Sequence, residues 1–384
     1  MLYLDYCATS PVRPEVIQTV TDVMTRHYGN PSSLHRLGKE AEELVTKART
    51  VVARTLGCKP SEVLFTGSGS EANNLAIKGA ALAYRKRGNH LITSVLEHAS
   101  VYEAYRQLED LGFDVTYLPV DSTGQVRLAD VEAALREDTI LVSLMYVNNE
   151  MGRVQPVEAI AELLKKRPKT LFHIDAIQAF GKLDCKRVVR NADLLTLSAH
   201  KFGGPKGVGA LYCREEVALL PLVSGGGQER GLRSGTENVP LLVGMAKACR
   251  LAEEEREQVA AKLLTLRKRL TDQLALIPGV HLTTPAEMTA EDEGYAPQLV
   301  HLTAPGFRPE VVIHALEKRG IFISTRSACS SDQVEPSRVL LAMGFPRERA
   351  AAGLRISYSA DQSLEDMDRM AQELGAVLSM LEQA

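Results

Sequence analysis

Three short segments carry residues whose types and spacing could do chemistry. The first reads Thr66-Gly67-Ser68-Gly69-Ser70-Glu71, after an apolar run and ahead of a helical pattern. Ser68 and Glu71 have capping-box spacing, and the small side chains leave backbone N–H groups bare at a helix N-terminus, where a phosphate is favoured. Taken alone, the segment reads equally well as a well-capped helix, and it is neither a P-loop nor a GxGxxG turn. The second is Asp175-Ala176-Ile177-Gln178, at the end of the strand-like run 171–174. An acid there sits on the sheet edge where ligands bind in α/β folds, and a buried carboxylate needs a positive partner or strong donors. A cap for the following helix is the plain alternative. The third is Ser198-Ala199-His200-Lys201, just before a turn rich in Gly and Pro. A partly desolvated lysine at a strand end can form a Schiff base, although an isolated lysine beside a turn is more often a surface residue. The interval of 26 residues from Asp175 to Lys201 sets two strand-end groups one strand–helix–strand unit apart, on the same rim.

The elements that must position these groups follow from periodicity. Apolar or β-branched runs at 63–66, 91–95, 115–120, 140–147, 171–174, 194–197 and 210–213 read as strands. Between 40 and 56, Ala41, Leu44, Val45, Ala48, Val51, Val52 and Thr55 repeat at three- and four-residue steps, one face of a helix. Alternating strands and helices predict an α/β fold with a mostly parallel sheet covered on both faces, spanning 14–255. A charged helix follows, with Val259, Leu263, Leu266, Leu270, Leu274 and Ile277 in step and Pro278-Gly279 as its stop. Strand-like runs at 298–303, 321–324 and 354–357 then mix with helices at 310–319 and 364–381. These predict a smaller α+β domain made of 256–384 with residues 1–13 packed against it. The acidic stretch 285–297 reads as a surface loop.

Composition sets the outer bounds. Lys plus Arg is 45 and Asp plus Glu is 48, a net charge of −3, which argues against a nucleic-acid partner. No run approaches 18 uncharged apolar residues, so no membrane span is expected, and the N-terminal segment lacks the pattern of a secretory signal. The six cysteines, at 7, 58, 185, 213, 249 and 329, form no CxxC pair and no metal-like cluster. No metal site and no disulfide framework are expected, and the compartment reads as reducing and cytoplasmic.

A phosphate cup, an acid and a lysine on one rim have a joint explanation in pyridoxal 5'-phosphate, which needs an anion site, an acid for its ring nitrogen and a Schiff-base lysine. Over essentially its whole length the chain resembles class V aminotransferase-fold enzymes, and more narrowly the cysteine desulfurases of the bacterial iron–sulfur type. The residues that carry the resemblance are 4–9, 67–74, 97–100, 147–152, 173–178, 198–201, 225–238, 326–331 and 354–357, in that order. It implies the type I fold of pyridoxal-phosphate enzymes.

By this resemblance Lys201 holds the cofactor and moves the substrate α-proton. Asp175 faces the ring nitrogen, Gln178 the phenolic oxygen, and His98 stacks on the ring. Asn149 reaches the cofactor and the substrate carboxylate. Gly69, Ser70, Ser198 and His200 contact the phosphate, as does Thr236 from the other subunit, which implies a homodimer. Arg355 takes the α-carboxylate in a bidentate grip. Cys329, in a polar stretch between a strand and a helix, takes sulfur from L-cysteine as a persulfide, leaves L-alanine, and hands the sulfur to an acceptor such as an iron–sulfur scaffold or a tRNA-thiolation protein. Three positions depart from the family pattern. Arg326 replaces a usual glycine ahead of Cys329, Cys7 stands where alanine is common, and the chain ends at Ala384, short of the tail with which some members dock a scaffold. Selenocysteine lyase and class V aminotransferase are the neighbouring enzyme readings. A non-catalytic scaffold subunit would be expected to have lost some of Lys201, Asp175, Gln178, His98, Cys329 and Arg355, and all six are present.

Overall fold

The computed structural model describes residues 1–285, 294–325 and 336–383. Among the described residues twelve strands form in chain order: β1 Leu2–Tyr3, β2 Val63–Thr66, β3 His90–Ser94, β4 Asp114–Leu118, β5 Thr139–Met145, β6 Leu171–Asp175, β7 Leu194–Ser198, β8 Gly209–Cys213, β9 His281–Leu282, β10 Leu299–Thr303, β11 Ile321–Phe322 and β12 Gly353–Ser357. The seven apolar runs read from the first two-thirds of the sequence make one sheet, ordered β2-β8-β7-β6-β5-β3-β4. β3, β4, β5, β6 and β7 pair in parallel, while β8 runs against both β7 and β2. Six of the seven strands therefore point the same way.

Successive residues of a strand face opposite sides of the sheet, and here both sides are covered. Leu91, Leu141, Leu194 and Leu211 enter one core with Leu75, Ile77, Val101 and Leu108 from helices Gly69–Tyr84 and Ala99–Asp110. Ile92, Val142, Leu195 and Ala210 enter the other with Val16, Val45, Val52 and Leu242. Double coverage explains why these strands read as continuous apolar runs.

A separate core gathers Leu263, Leu266, Leu270 and Leu274 of helix Arg256–Leu274 with strands β10 and β12 and with Leu374 and Leu378 of helix Leu364–Glu382. Leu2 and Leu4 belong to this core, because β1 pairs with β11 and Asp5 bridges to Ser357. The chain start is thus tied to the C-terminal third and then crosses to the rim of the large sheet.

Candidate active site

Parallel strands share one C-terminal rim, and the chemistry-bearing residues collect there. A cavity of about 190 Å³ is lined by Gly69, Ser70, His98, Asn149 and Asp175, and by Gln178, Ser198, His200, Lys201 and Arg355. The order of the sheet explains the gathering: β6 ends in Asp175 and β7 in Ser198, while β2 leads into the Gly69 helix and β3 into the turn before His98.

Local chemistry shapes the cup. Ser68 caps helix Gly69–Tyr84 by accepting the Glu71 N–H at 3.1 Å, and the Glu71 carboxylate accepts the Gly67 N–H at 2.8 Å and Arg233 Nε at 2.8 Å. The first N–H groups of the helix have no acceptor within it and border the cavity. A Cβ on Gly69 would lie 2.5 Å from Ile177 Cδ1 and 2.9 Å from Ser198 Cβ, so only glycine admits this close approach. On β8, a Cβ on Gly209 would lie 2.6 Å from the Ser68 carbonyl carbon. His200 Nδ1 lies 3.1 Å from Thr9 Oγ1, and burial pushes its imidazole down to about 4.

Asp175 is 5% exposed and accepts hydrogen bonds from Asn73 Nδ2 at 2.8 Å and the Ile177 N–H at 3.0 Å. Burial raises its pKa, and those two donors with His98 and Lys201 oppose the rise. It has no ion pair among the described residues. His98 is the N-cap of helix Ala99–Asp110, and burial lowers its imidazole. Its neighbour Glu97 is buried outright; Oε1 accepts from Ser94 Oγ at 2.7 Å and from the Met145 N–H at 3.1 Å, and burial pushes the carboxyl up to about 8.

The N-terminal segment closes one wall. Lys201 Nζ donates to the carbonyls of Cys7 at 2.6 Å and Ala8 at 2.7 Å, and Gln178 Nε2 donates to the same Cys7 carbonyl at 2.9 Å. Lys182 Nζ donates to the Lys201 carbonyl at 2.7 Å, its amine pushed down to about 8 by burial. Arg355 is 1% exposed; one terminal nitrogen donates to the Asn149 carbonyl at 2.8 Å and the other to Asp5 Oδ1 at 2.9 Å. Its Nε has no partner among the described residues. A larger cavity of about 420 Å³ adjoins, sharing Cys7, Gln178 and Lys201 but not Asp175, His98 or Arg355. The smaller one therefore holds the grouped chemistry.

Thr236 is exposed and outside the lining of its own chain's site, and Cys329, like Arg326, lies outside the described residues. The other five cysteines are free. Burial pushes the thiols of Cys58, Cys185 and Cys213 up to about 12 and raises that of Cys249, which suits inert packing rather than nucleophilic attack. Sequence reasoning missed Asp5, Asn73, Ser100 and Arg338. Arg338 donates to the carbonyls of Val95 at 2.7 Å and Glu97 at 2.5 Å, pinning the turn that presents His98. Asp5, Asn73 and Ser100 all fall inside motifs that carried the resemblance, and this was the available signal.

A family model for class-V aminotransferases matches residues 2–370. The chain belongs to the class-V aminotransferase family. Among its relatives in this family, the cysteine desulfurase IscS of Methanosarcina thermophila is 43% identical over 383 residues, covering 99% of this chain and 92% of that protein. A solved NifS-like protein superposes with a TM-score of 0.92 at 39% identity, covering 99% of both chains. A structure of SspA in complex with cysteine superposes at 0.78 with 36% identity, over 93% of this chain and 98% of that one. Class-V aminotransferases depend on pyridoxal phosphate, and so does this chain. The cavity fits the group: a glycine-cleared helix N-terminus stands ready for the phosphate and a buried acid without an ion pair for the ring nitrogen, with an amine on the same rim.

Glu97 supplies a pH test. Its carboxyl titrates higher folded than unfolded, so the native state holds the extra proton and stability falls as pH rises from the ordinary carboxyl range through about 8. Glu97→Gln mimics the protonated acid. The variant is expected to unfold at higher denaturant than the parent at pH 8.5, by more than about 1 kcal/mol, with the gap closing towards pH 4.5. Parallel stability curves across that range would refute the assignment.

Proposed function

We infer that this chain is a cysteine desulfurase. The observation that carries the reading is the single cavity that gathers Lys201, Asp175, Gln178, His98, Asn149 and Arg355 beside the N-terminus of helix Gly69–Tyr84, in a chain 43% identical to a cysteine desulfurase over almost its full length.

In this reading Gly69, Ser70, Ser198 and His200 receive the cofactor phosphate, Asp175 keeps the ring nitrogen protonated, and Gln178 meets the phenolic oxygen. When bound, pyridoxal phosphate supplies an electron sink for the substrate Cα. Arg355 grips the α-carboxylate of L-cysteine, with Asn149 beside it. Lys201 anchors the cofactor and then moves the α-proton. The Cys329 thiolate attacks the substrate sulfur; the S–S bond forms as the Cβ–S bond breaks, and that pair stays with carbon. Protonation gives L-alanine, so one cysteine and one thiol yield one alanine and one persulfide. The sulfur then passes to an acceptor protein of iron–sulfur cluster or thio-cofactor assembly. Both flanks of the segment bearing Cys329 are fixed near the cavity. Ser324 pairs with the Arg355 backbone, Ser337 Oγ donates to Glu150 Oε2 at 2.6 Å, and Arg338 holds the His98 turn.

The proposed assembly is a homodimer in the cytoplasm, each protomer built of a large unit, 14–255, and a smaller one from 1–13 and 256–384. Thr236 would complete the partner's phosphate cup. Its exposure, together with exposed Leu220, Leu222 and Val223 nearby in the chain, supports that arrangement. No helix among the described residues is long and apolar enough to cross a membrane.

Cys329→Ser is expected to abolish alanine release from L-cysteine, and the parent incubated with L-cysteine should gain one sulfur atom on the Cys329 peptide by mass spectrometry. Undiminished alanine release by the variant would refute the persulfide route. Mixed Lys201→Ala and Thr236→Ala subunits, refolded together, should recover activity that neither has alone; no recovery would argue against a shared site.

A further inference from the structure

The residues behind His98 and Asp175 form one hydrogen-bonded chain. Asn73 is fully buried on helix Gly69–Tyr84. Its Nδ2 donates to Asp175 Oδ2 at 2.8 Å and to Ser100 Oγ at 2.9 Å. Ser100 Oγ lies 2.9 Å from His98 Nδ1, and the Ser100 backbone N–H donates to the same Nδ1 at 3.1 Å.

Donor and acceptor rules fix the direction of this chain. An amide NH₂ and a backbone N–H can only donate. Asp175 as an anion can only accept, so it anchors the amide with Nδ2 towards it. Ser100 Oγ accepts the second Nδ2 hydrogen, which leaves its own O–H free to point at His98. Nδ1 then accepts two hydrogen bonds and cannot carry a proton without breaking both. The single ring proton must sit on Nε2, which has no partner among the described residues, while His98 itself lines the cavity.

We propose that Asn73 is a positioning residue for His98: anchored on Asp175 and acting through Ser100, it locks the imidazole as the neutral Nε2–H tautomer. His98 then offers the cavity a hydrogen-bond donor rather than a base. A substrate proton has to be taken by another group, and Lys201 is the amine available on that rim. The charged groups around the ring are Asp175 at the end of β6, Lys201 beyond β7, Arg338 of helix Arg338–Ala342 and Arg355 on β12. Three of the four are cations, so they oppose a second ring proton, in keeping with the lowered imidazole.

The inference leans on the proposed function only in that His98 faces the reacting centre, and its test does not require turnover. The full chain, labelled with ¹⁵N in histidine, is examined by NMR with and without pyridoxal phosphate, with His98 assigned by its loss in His98→Gln. The parent should show Nδ1 bare and Nε2 protonated between about pH 6 and 8, where an ordinary histidine titrates. Asn73→Leu and Ser100→Ala should each bring in a second ring form with Nδ1 protonated, while Ser100→Thr, which keeps the hydroxyl, should restore the parent pattern. If Asn73→Leu does not fold, Ser100→Ala carries the test, since it deletes only the hydroxyl. Nδ1 protonated in the parent, or parent-like shifts in both Asn73→Leu and Ser100→Ala, would overturn the proposal. Alanine release from L-cysteine is assayed on the same samples, so a locked ring without turnover sinks the desulfurase reading and leaves this one standing.

Discussion

A carboxylate taken out of water is stable only where donors and a cation replace its hydration. Asp175 is in that position at the end of β6, with two neutral donors and no ion pair among the described residues. Much of the surrounding structure can be understood as the setting of this one acid. Parallel neighbours β5 and β7 bury it, and helix Gly69–Tyr84 brings Asn73 to it while its N-terminal residues line the same cavity. In the proposed reading a protonated pyridine nitrogen would supply the missing positive charge, so that binding the cofactor would relieve a cost already built into the fold. The same burial raises the pKa of Asp175, and Lys201 across the rim is among the groups that oppose the rise.

The N-terminal segment makes the second constraint. Its start belongs to the C-terminal core through Leu2 and Leu4, and its continuation lies against Lys201 and Gln178 through the Cys7 carbonyl. Asp5, between the two, holds one side of the Arg355 guanidinium. This short strap therefore couples Arg355 of the smaller core to the Lys201 amine of the larger one. Arg355 is 1% exposed and its Nε has no partner among the described residues, so the Asp5 carboxylate is the counter-charge that makes its burial tolerable.

Legibility in the sequence followed the strength of the local signal. The strands of the large sheet, the half-buried edge strand β4 apart, were readable because burial on both faces makes them continuous apolar runs. β1 and β9 were not, since two residues carry no periodicity and these strands exist only through pairing. Asp175 and Lys201 stood out because each follows such a run, and the resemblance supplied roles for His98, Gln178 and Arg355. Asn73 and Ser100 lay in plain view within the same motifs. An asparagine inside a helix has no pattern that announces a partner about a hundred residues downstream; only the packing of that helix on the sheet shows that its amide meets Asp175. Arg338 escaped for the same reason: its target is a pair of backbone carbonyls, which no side-chain spacing encodes. Asp5 escaped because its partner, Arg355, lies at the other end of the chain.

One amine, on the strand end beside Asp175, is proposed to carry the cofactor. Borohydride reduction of the cofactor-loaded chain, followed by peptide mass spectrometry, tests this most directly. The pyridoxyl group is expected on the peptide containing Lys201 and on no other. Its appearance on Lys182, the half-buried amine of the adjoining cavity, or on no lysine at all, would rule out that role for Lys201.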